Sequence, residues 1–174
     1  AGYQPIGAML CTGAIHDAIA AGSGFFQHGH TYLGHPVAAA AGHAVLRELL
    51  ERGLVERVRE TGPRLHAMLS ERLGQHPHVG DIRGRGFFRG VEFVADRETG
   101  RPFDPAFGLA RRLKAAAFAE GLICYPMGGT RDGREGDHVL LAPPFIASGD
   151  ELASAADALT RALERALAEA PATA

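Results

Sequence analysis

The apolar pattern of the chain changes from a helical period to a strand period between residues 73 and 79, and that change limits the folds open to it. Before it, apolar side chains recur at helical spacing. Residues 37–51 carry Ala41, Val45, Leu46 and Leu49 on one stripe, and Gly53 follows as a stop. Residues 54–73 carry Leu54, Val58, Leu65, Leu69 and Leu73 in the same way. Gly62-Pro63 lies inside this second run, and a proline in a helix interior predicts a kink or a division. His76-Pro77 ends it. After the change, residues 79–95 read as strands: Phe87, Phe88, Val91, Phe93 and Val94 suit a pleated surface, and Gly84, Gly86 and Gly90 mark a turn or bulges.

The rest of the chain alternates. Residues 96–105 are a polar loop. Residues 106–120 predict a helix with Phe107, Ala110, Leu113 and Ala117 on one face and Gly121 behind it. Short strands are expected at 122–125 and 139–142, with a Gly- and Arg-rich loop between them at 127–137. Ser148-Gly149-Asp150-Glu151 is a capping box that should open a last helix, with Leu152, Ala155, Ala156, Leu159, Leu163 and Leu167 buried. Upstream, residues 6–11 predict a buried strand and residues 14–21 a helix that stops at Gly22-Ser23-Gly24. Residues 25–36 have no period and are rich in Gly and His, so they predict a loop that something must hold in place. No internal repeat appears, and the mixture is α/β or α+β.

With 174 residues the chain has room for one domain, or for a domain and a fragment of another. Hydrophobic residues make up 46%, too many for a disordered chain. The net charge of -2 provides no strong field for nucleic acid or an acidic membrane, and no stretch approaches the roughly 20 apolar residues of a span. Ala1-Gly2-Tyr3-Gln4-Pro5 has no basic region and no apolar run of a signal peptide, no Met and no capping or strand-initiating residue; it reads as the middle of a longer chain. Cys11 and Cys124 have neither metal-ligand nor disulfide spacing, and predict two free thiols in a reducing cytoplasm.

Three features invite chemistry. His28, His30, His35 and His43 are close in sequence, but they contain no helical i, i+4 pair and no acidic base between them. A loop polar network is expected there, and no metal. Arg83-Gly84-Arg85-Gly86-Phe87-Phe88-Arg89-Gly90 looks like an RNA-binding segment until its apolar flanks and the chain's lack of a basic excess are weighed; a glycine-shaped turn between strands is expected instead. Arg131 and Arg134, in the Gly-rich loop beside two proline-flanked strands, each offer a fork of donors to a carboxylate.

Four segments, in order, resemble the class III aminotransferases, a fold type I family dependent on pyridoxal 5'-phosphate (PLP). Gly2-Tyr3-Gln4-Pro5-Ile6-Gly7-Ala8 is similar to the segment after that family's catalytic lysine. Phe26-Gln27-His28-Gly29-His30-Thr31-Tyr32-Leu33-Gly34-His35-Pro36 resembles its HG-T-x-x-G-x-P loop. Ile82 to Phe87 followed by Gly90-Val91-Glu92 resembles its RGxG…GxE hairpin. Gly136-Asp137-His138-Val139-Leu140-Leu141-Ala142-Pro143-Pro144 resembles its GD…APP strand.

The resemblance implies a fold and a set of roles. Residues 1–36 would be the tail of the PLP-binding large domain, with the cofactor-phosphate loop. Residues 37–78 would be connecting helices, and residues 79–174 the small C-terminal domain, a short sheet with helices packed over it. Thr31, with His30, would bind the phosphate of PLP held by the neighbouring subunit of a homodimer. Tyr3, Arg131 and Arg134 would contact substrate. The family's catalytic lysine would precede residue 1, and the lone lysine, Lys114, lies in a predicted helix facing solvent. The chain by itself is therefore expected to be inactive. Subgroups acting on ornithine, acetylornithine or 4-aminobutyrate tend to carry an arginine three residues before Pro-Pro; here that place is Leu140. The pocket then resembles the branch using amines or ω-amino acids with keto acids, in which a loop arginine swings in for a carboxylate and out for an amine. An aminomutase or decarboxylase, a non-catalytic module and one half of a split enzyme remain open alternatives.

Overall fold

The computed structural model describes residues 3–168, so the expectations for residues 1–2 and for a frayed tail at 171–174 lie outside the described residues. The chain divides into two compact units, Ala1–Gly53 and Leu54–Ala174.

The first unit contains two helices, α1 (Gly13–Ala21) and α2 (Pro36–Glu51). Pro36 suits the first turn of α2, where its missing N–H costs nothing. The Nδ1 of His35 accepts the Ala38 amide at 3.3 Å and caps the helix, so one member of the histidine cluster has a structural task. The strand expected at residues 6–11 is absent: these residues form no ladder, and all of them are exposed. An extended segment becomes a strand only when a neighbour takes its backbone groups, and no described residue of this unit does so. Instead the segment passes over α2, where Ile6 Cδ1 lies 3.0 Å from the position a Cβ would take on Gly42. Among the described residues of this unit only Ala38 is buried; of the expected stripe of α2, Ala41, Val45 and Leu49 are partly buried and Leu46 is 58% exposed.

The second unit has the period change that the sequence shows. Helix α3 (Leu54–Leu73) is followed by the hairpin β1 (Val79–Arg85) and β2 (Phe88–Phe93), a 3₁₀ turn (Pro105–Phe107), helix α4 (Leu109–Ala119), the hairpin β3 (Tyr125–Gly128) and β4 (Asp137–Leu141), and helix α5 (Gly149–Ala168). The four strands form one antiparallel sheet in the order β1-β2-β4-β3. Alternation along β2 and β4 sends Arg89, Val91, Phe93, Asp137, Val139 and Leu141 to the covered face. There Val91, Phe93, Val139 and Leu141 join Leu65, Leu69 and Leu73 of α3, Leu109 and Leu113 of α4, and Leu152, Leu159 and Leu163 of α5 in one apolar cluster. Each fully buried leucine contributes about 1.5–3 kcal/mol relative to exposure.

Three local expectations change. Pro63 does not divide α3, which runs unbroken from Leu54 to Leu73. The helix buries Leu54, Val58, Gly62, Leu65, Leu69 and Leu73 along one face, while Pro63 sits on the exposed one. Packing along that face outweighs the single bond lost. The strand expected at 122–125 begins at Tyr125 instead. Leu122 belongs to the end of α4: its amide reaches the Ala117 carbonyl at 2.8 Å and that of Gly121 reaches Phe118 at 3.1 Å, a Schellman cap with Gly121 left-handed at φ 77°. Left-handed Gly108 likewise separates the 3₁₀ turn from α4 within the run expected to be one helix. The capping box forms as expected, with Ser148 N–H donating to Glu151 Oε2 at 2.7 Å and Glu151 N–H to Ser148 Oγ at 3.2 Å.

Candidate functional site

Two separate groups of candidate residues result, one in each unit. In the first unit, Thr31 and His30 occupy an exposed turn between α1 and α2. The turn is closed by Leu33 N–H on the His30 carbonyl and by His35 N–H on the Tyr32 carbonyl, both at 3.0 Å. The rings of Phe26, His28 and His30 follow one another edge-on, with centroids 5.8 and 4.9 Å apart. Among the described residues, neither the Thr31 hydroxyl nor its amide has a hydrogen-bond partner. Two adjacent, uncommitted donors on an open turn are the chemistry that phosphate oxygens require. Tyr3 is 80% exposed.

In the second unit, the loop joining β3 to β4 is built from its own hydrogen bonds. Asp132 accepts the amides of Arg134 at 2.8 Å and Glu135 at 2.7 Å, and these bonds hold its carboxyl below the usual range. Arg131 N–H donates to the Glu135 carbonyl at 2.9 Å, and the Thr130 hydroxyl to the Gly136 carbonyl at 2.8 Å. The backbone is thereby fixed and the two guanidinium groups are left over. They differ in place. Arg131 lines a cleft of about 390 Å³ together with Arg83, Glu92, Thr130, Gly136 and His138; Arg134 does not line it. The uncovered face of the sheet continues from that cleft through Leu140, Tyr125 and Met127, paired across β3 and β4. Tyr125 is 63% and Met127 38% exposed.

Two arginines of the Arg-Gly segment are engaged by other residues of the fold, Arg83 on the surface and Arg89 in the interior. Arg83 Nη1 donates to Asp81 Oδ2 at 2.8 Å and to Glu92 Oε2 at 2.6 Å, and both bonds raise its pKa. Arg89 is buried, donating to the carbonyls of Gly84 at 2.7 Å and Gly62 at 2.8 Å, while burial lowers its pKa. Sequence reasoning assigned no role to Glu92, Arg89 or Asp137. Glu92 could have been found from the alternation of β2, which places it outward beside Arg83. Asp137 is buried under the start of α4, where its Oδ1 accepts the Ala110 amide at 3.2 Å; burial raises its pKa in spite of that bond. Only the packing of α4 reveals it. Lys114 is exposed on α4 and lines no part of the Arg131 cleft.

The family model for class-III aminotransferases matches residues 1–163. The chain belongs to that family. An aminotransferase of Gibberella zeae is 45% identical over 152 residues, covering 87% of this chain and 30% of the relative. Among solved structures, an (S)-enantioselective ω-transaminase from Thermomicrobium roseum superposes with a TM-score of 0.79 at 33% identity, over 90% of this chain and 33% of that one. A PLP-bound aminotransferase mutant from Vibrio fluvialis superposes with a TM-score of 0.75 at 33% identity, over 89% and 32%. The chain thus spans about a third of the length of these class-III aminotransferases. The family is PLP-dependent and of fold type I, as the sequence motifs imply.

Proposed function

We propose that this chain serves a PLP-dependent transaminase that moves an amino group between an amine or ω-amino acid and a keto acid. The cofactor, when bound, supplies the electron sink for transfer of the amino group. The chain's own residues bind and select. The two open donors of Thr31 suit the cofactor phosphate, with His30 beside them in the same turn. The observation that carries the substrate reading is the uncovered sheet face, apolar at Leu140, Tyr125 and Met127, with the guanidinium of Arg131 on the adjoining loop. A neutral amine substituent suits the strands, and a keto-acid carboxylate suits the arginine fork. Arg131 is favoured over Arg134 because it lines the cleft. Tyr3 is kept as a substrate contact on its motif alone.

A homodimer fits the first unit, where Ile6, Leu10, Phe25, Phe26, Tyr32 and Leu33 are all more than half exposed. Two free thiols at Cys11 and Cys124 fit a reducing cytoplasm. No helix among the described residues is long and apolar enough to cross a membrane. Steady-state kinetics of the PLP-loaded enzyme test the reading. Arg131→Ala should raise KM for keto acids about tenfold or more, the loss of one charge-assisted pair, and leave neutral amines nearly unchanged. Arg134→Ala should change neither. Equal loss on both substrate types, or no loss with Arg131→Ala, overturns it.

A further inference from the structure

Helices α4 and α5 pack against one another, and a groove of about 280 Å³ opens between them. Its apolar lining is alanine alone, with Ala116 and Ala166 buried at the floor. All its other lining residues are arginines: Arg111 and Arg112 from the first turn of α4 and Arg165 from the last turn of α5. No described acidic residue lines it. Three like charges around one small space repel one another, and cations in the first turn of a helix oppose its dipole. The stability of the two helices therefore gives no reason for this arrangement.

The neighbouring acids are engaged elsewhere. Glu120 accepts from Arg161 Nε at 2.7 Å and comes no closer than 3.9 Å to Arg165. Glu164 meets His76 at 3.2 Å, and Asp157 meets Arg72 at 2.5 Å. Arg112 is held in place, its Nε donating to the Phe107 carbonyl at 2.8 Å and its guanidinium 4.6 Å from the centre of the Phe107 ring. Arg111 has no ion-pair partner among the described residues. The groove shares no lining residue with the cleft beside Arg131.

We propose that the groove between α4 and α5 binds the phosphate group of a small phosphate monoester, held by Arg111, Arg112 and Arg165. A guanidinium offers a planar fork of donors to phosphate oxygens, and forks from two helices suit a group with three terminal oxygens better than a flat carboxylate. The volume lies just below the usual range for ligand pockets, about 300–1,000 Å³, which matches a small ligand. Ala115 and Ala119 are exposed, so the groove opens to solvent and leaves room for the ester substituent. The inference does not depend on the substrate reading above.

Equilibrium dialysis of radiolabelled inorganic phosphate against the PLP-loaded enzyme, at constant ionic strength in chloride, tests the site. PLP fills the place proposed for the cofactor phosphate, so further binding reports the groove. One saturable equivalent per chain is expected, and its absence overturns the proposal whatever the variants do. Arg111→Ala and Arg165→Ala should each weaken binding about tenfold or more, the loss of a charge-assisted bond. Lys114→Ala removes a charge from α4 outside the groove and should change affinity by less than about twofold. Equal losses in all three variants would mean diffuse attraction to a basic surface and would sink the site. Methyl phosphate should displace the label; failure to do so rules out a monoester. Succinate binding as tightly as phosphate would overturn the assignment to phosphate. Glu169, four residues beyond Arg165 in sequence, lies outside the described residues. Phosphate binding that appears only in Glu169→Gln would make a carboxylate of the chain the occupant and end the proposal.

Discussion

A Cβ placed on Gly62 of α3 would lie 2.8 Å from the Cα of Gly86, in the turn between β1 and β2. The helix and the hairpin meet backbone to backbone there, and Arg89 ties the contact by donating to the carbonyls of both Gly62 and Gly84. Because nothing flexible stands between the two backbone segments, the contact has no slack. Gly62→Ala gains about 1 kcal/mol of helix propensity but forces apart packed backbone, which costs about 1–3 kcal/mol. The variant should be less stable than the parent in urea denaturation, although alanine is the better helix former. A raised midpoint would show that α3 can move away from the hairpin.

The stability of the second unit should depend on pH near neutrality through His76. Its Nε2 lies 3.2 Å from Glu164 Oε1 on α5, and its Nδ1 accepts the His78 amide at 3.1 Å. Burial is the largest influence and lowers the ring's pKa below 6.5, more than Glu164 raises it. The unfolded chain therefore binds a proton that the folded chain refuses. The contribution is fully present above pH 6.5, and is lost as pH falls from there through the folded pKa. Urea midpoints should fall between pH 7.5 and 5. His76→Gln should flatten that part of the profile, and an unchanged slope would remove His76 from the account.

The two thiols should react at different rates. Cys11 is exposed, whereas burial pushes the Cys124 thiol up to about 11. The thiolate is the nucleophile, so at pH 8 only about one Cys124 in a thousand is reactive. Iodoacetamide should alkylate Cys11 first, and Cys124 at a useful rate only after denaturation. Equal labelling in peptide maps of the native chain would contradict the packing of Cys124 against the core.

PLP added to the chain should find no lysine to hold it. Lys114 is an exposed residue on a helix that lines no part of the Arg131 cleft, and the sequence has no other lysine. Borohydride reduction followed by peptide mapping should yield no specifically labelled peptide and no transaminase activity. Saturable labelling of Lys114 would require a site that the fold does not suggest.

In the PLP-loaded enzyme, Thr31→Ala should weaken cofactor retention more than it weakens folding. Loss of one hydrogen bond to a charged phosphate corresponds to about 1.5–3 kcal/mol. Equilibrium dialysis against PLP, set beside the urea midpoint, separates the two effects. Equal cofactor affinity in parent and variant would take Thr31 out of the phosphate site.

The sequence by itself determined what depends on neighbours in the chain. The capping box at Ser148, the period change after Leu73, the glycine stop of α4 and the four motifs were all legible, because caps, turns and amphipathic faces are set within a few residues. The fork-like donors of Arg131 and the open hydroxyl of Thr31 were legible as chemistry, since side-chain type fixes what a group can bind. What only the tertiary structure decided depends on which distant segments meet. It denied residues 6–11 a strand, because a strand exists only with a partner for its backbone groups. It carried α3 through Pro63, because a long buried face outweighs one missing hydrogen bond. It buried Arg89 and Asp137, lined one cleft with Arg131 and not with Arg134, and left Asp81 and Glu92 sharing Arg83. Strand pairing creates those neighbours, and residues such as Glu92 and His138, 46 positions apart in the chain, become adjacent only when β2 and β4 join.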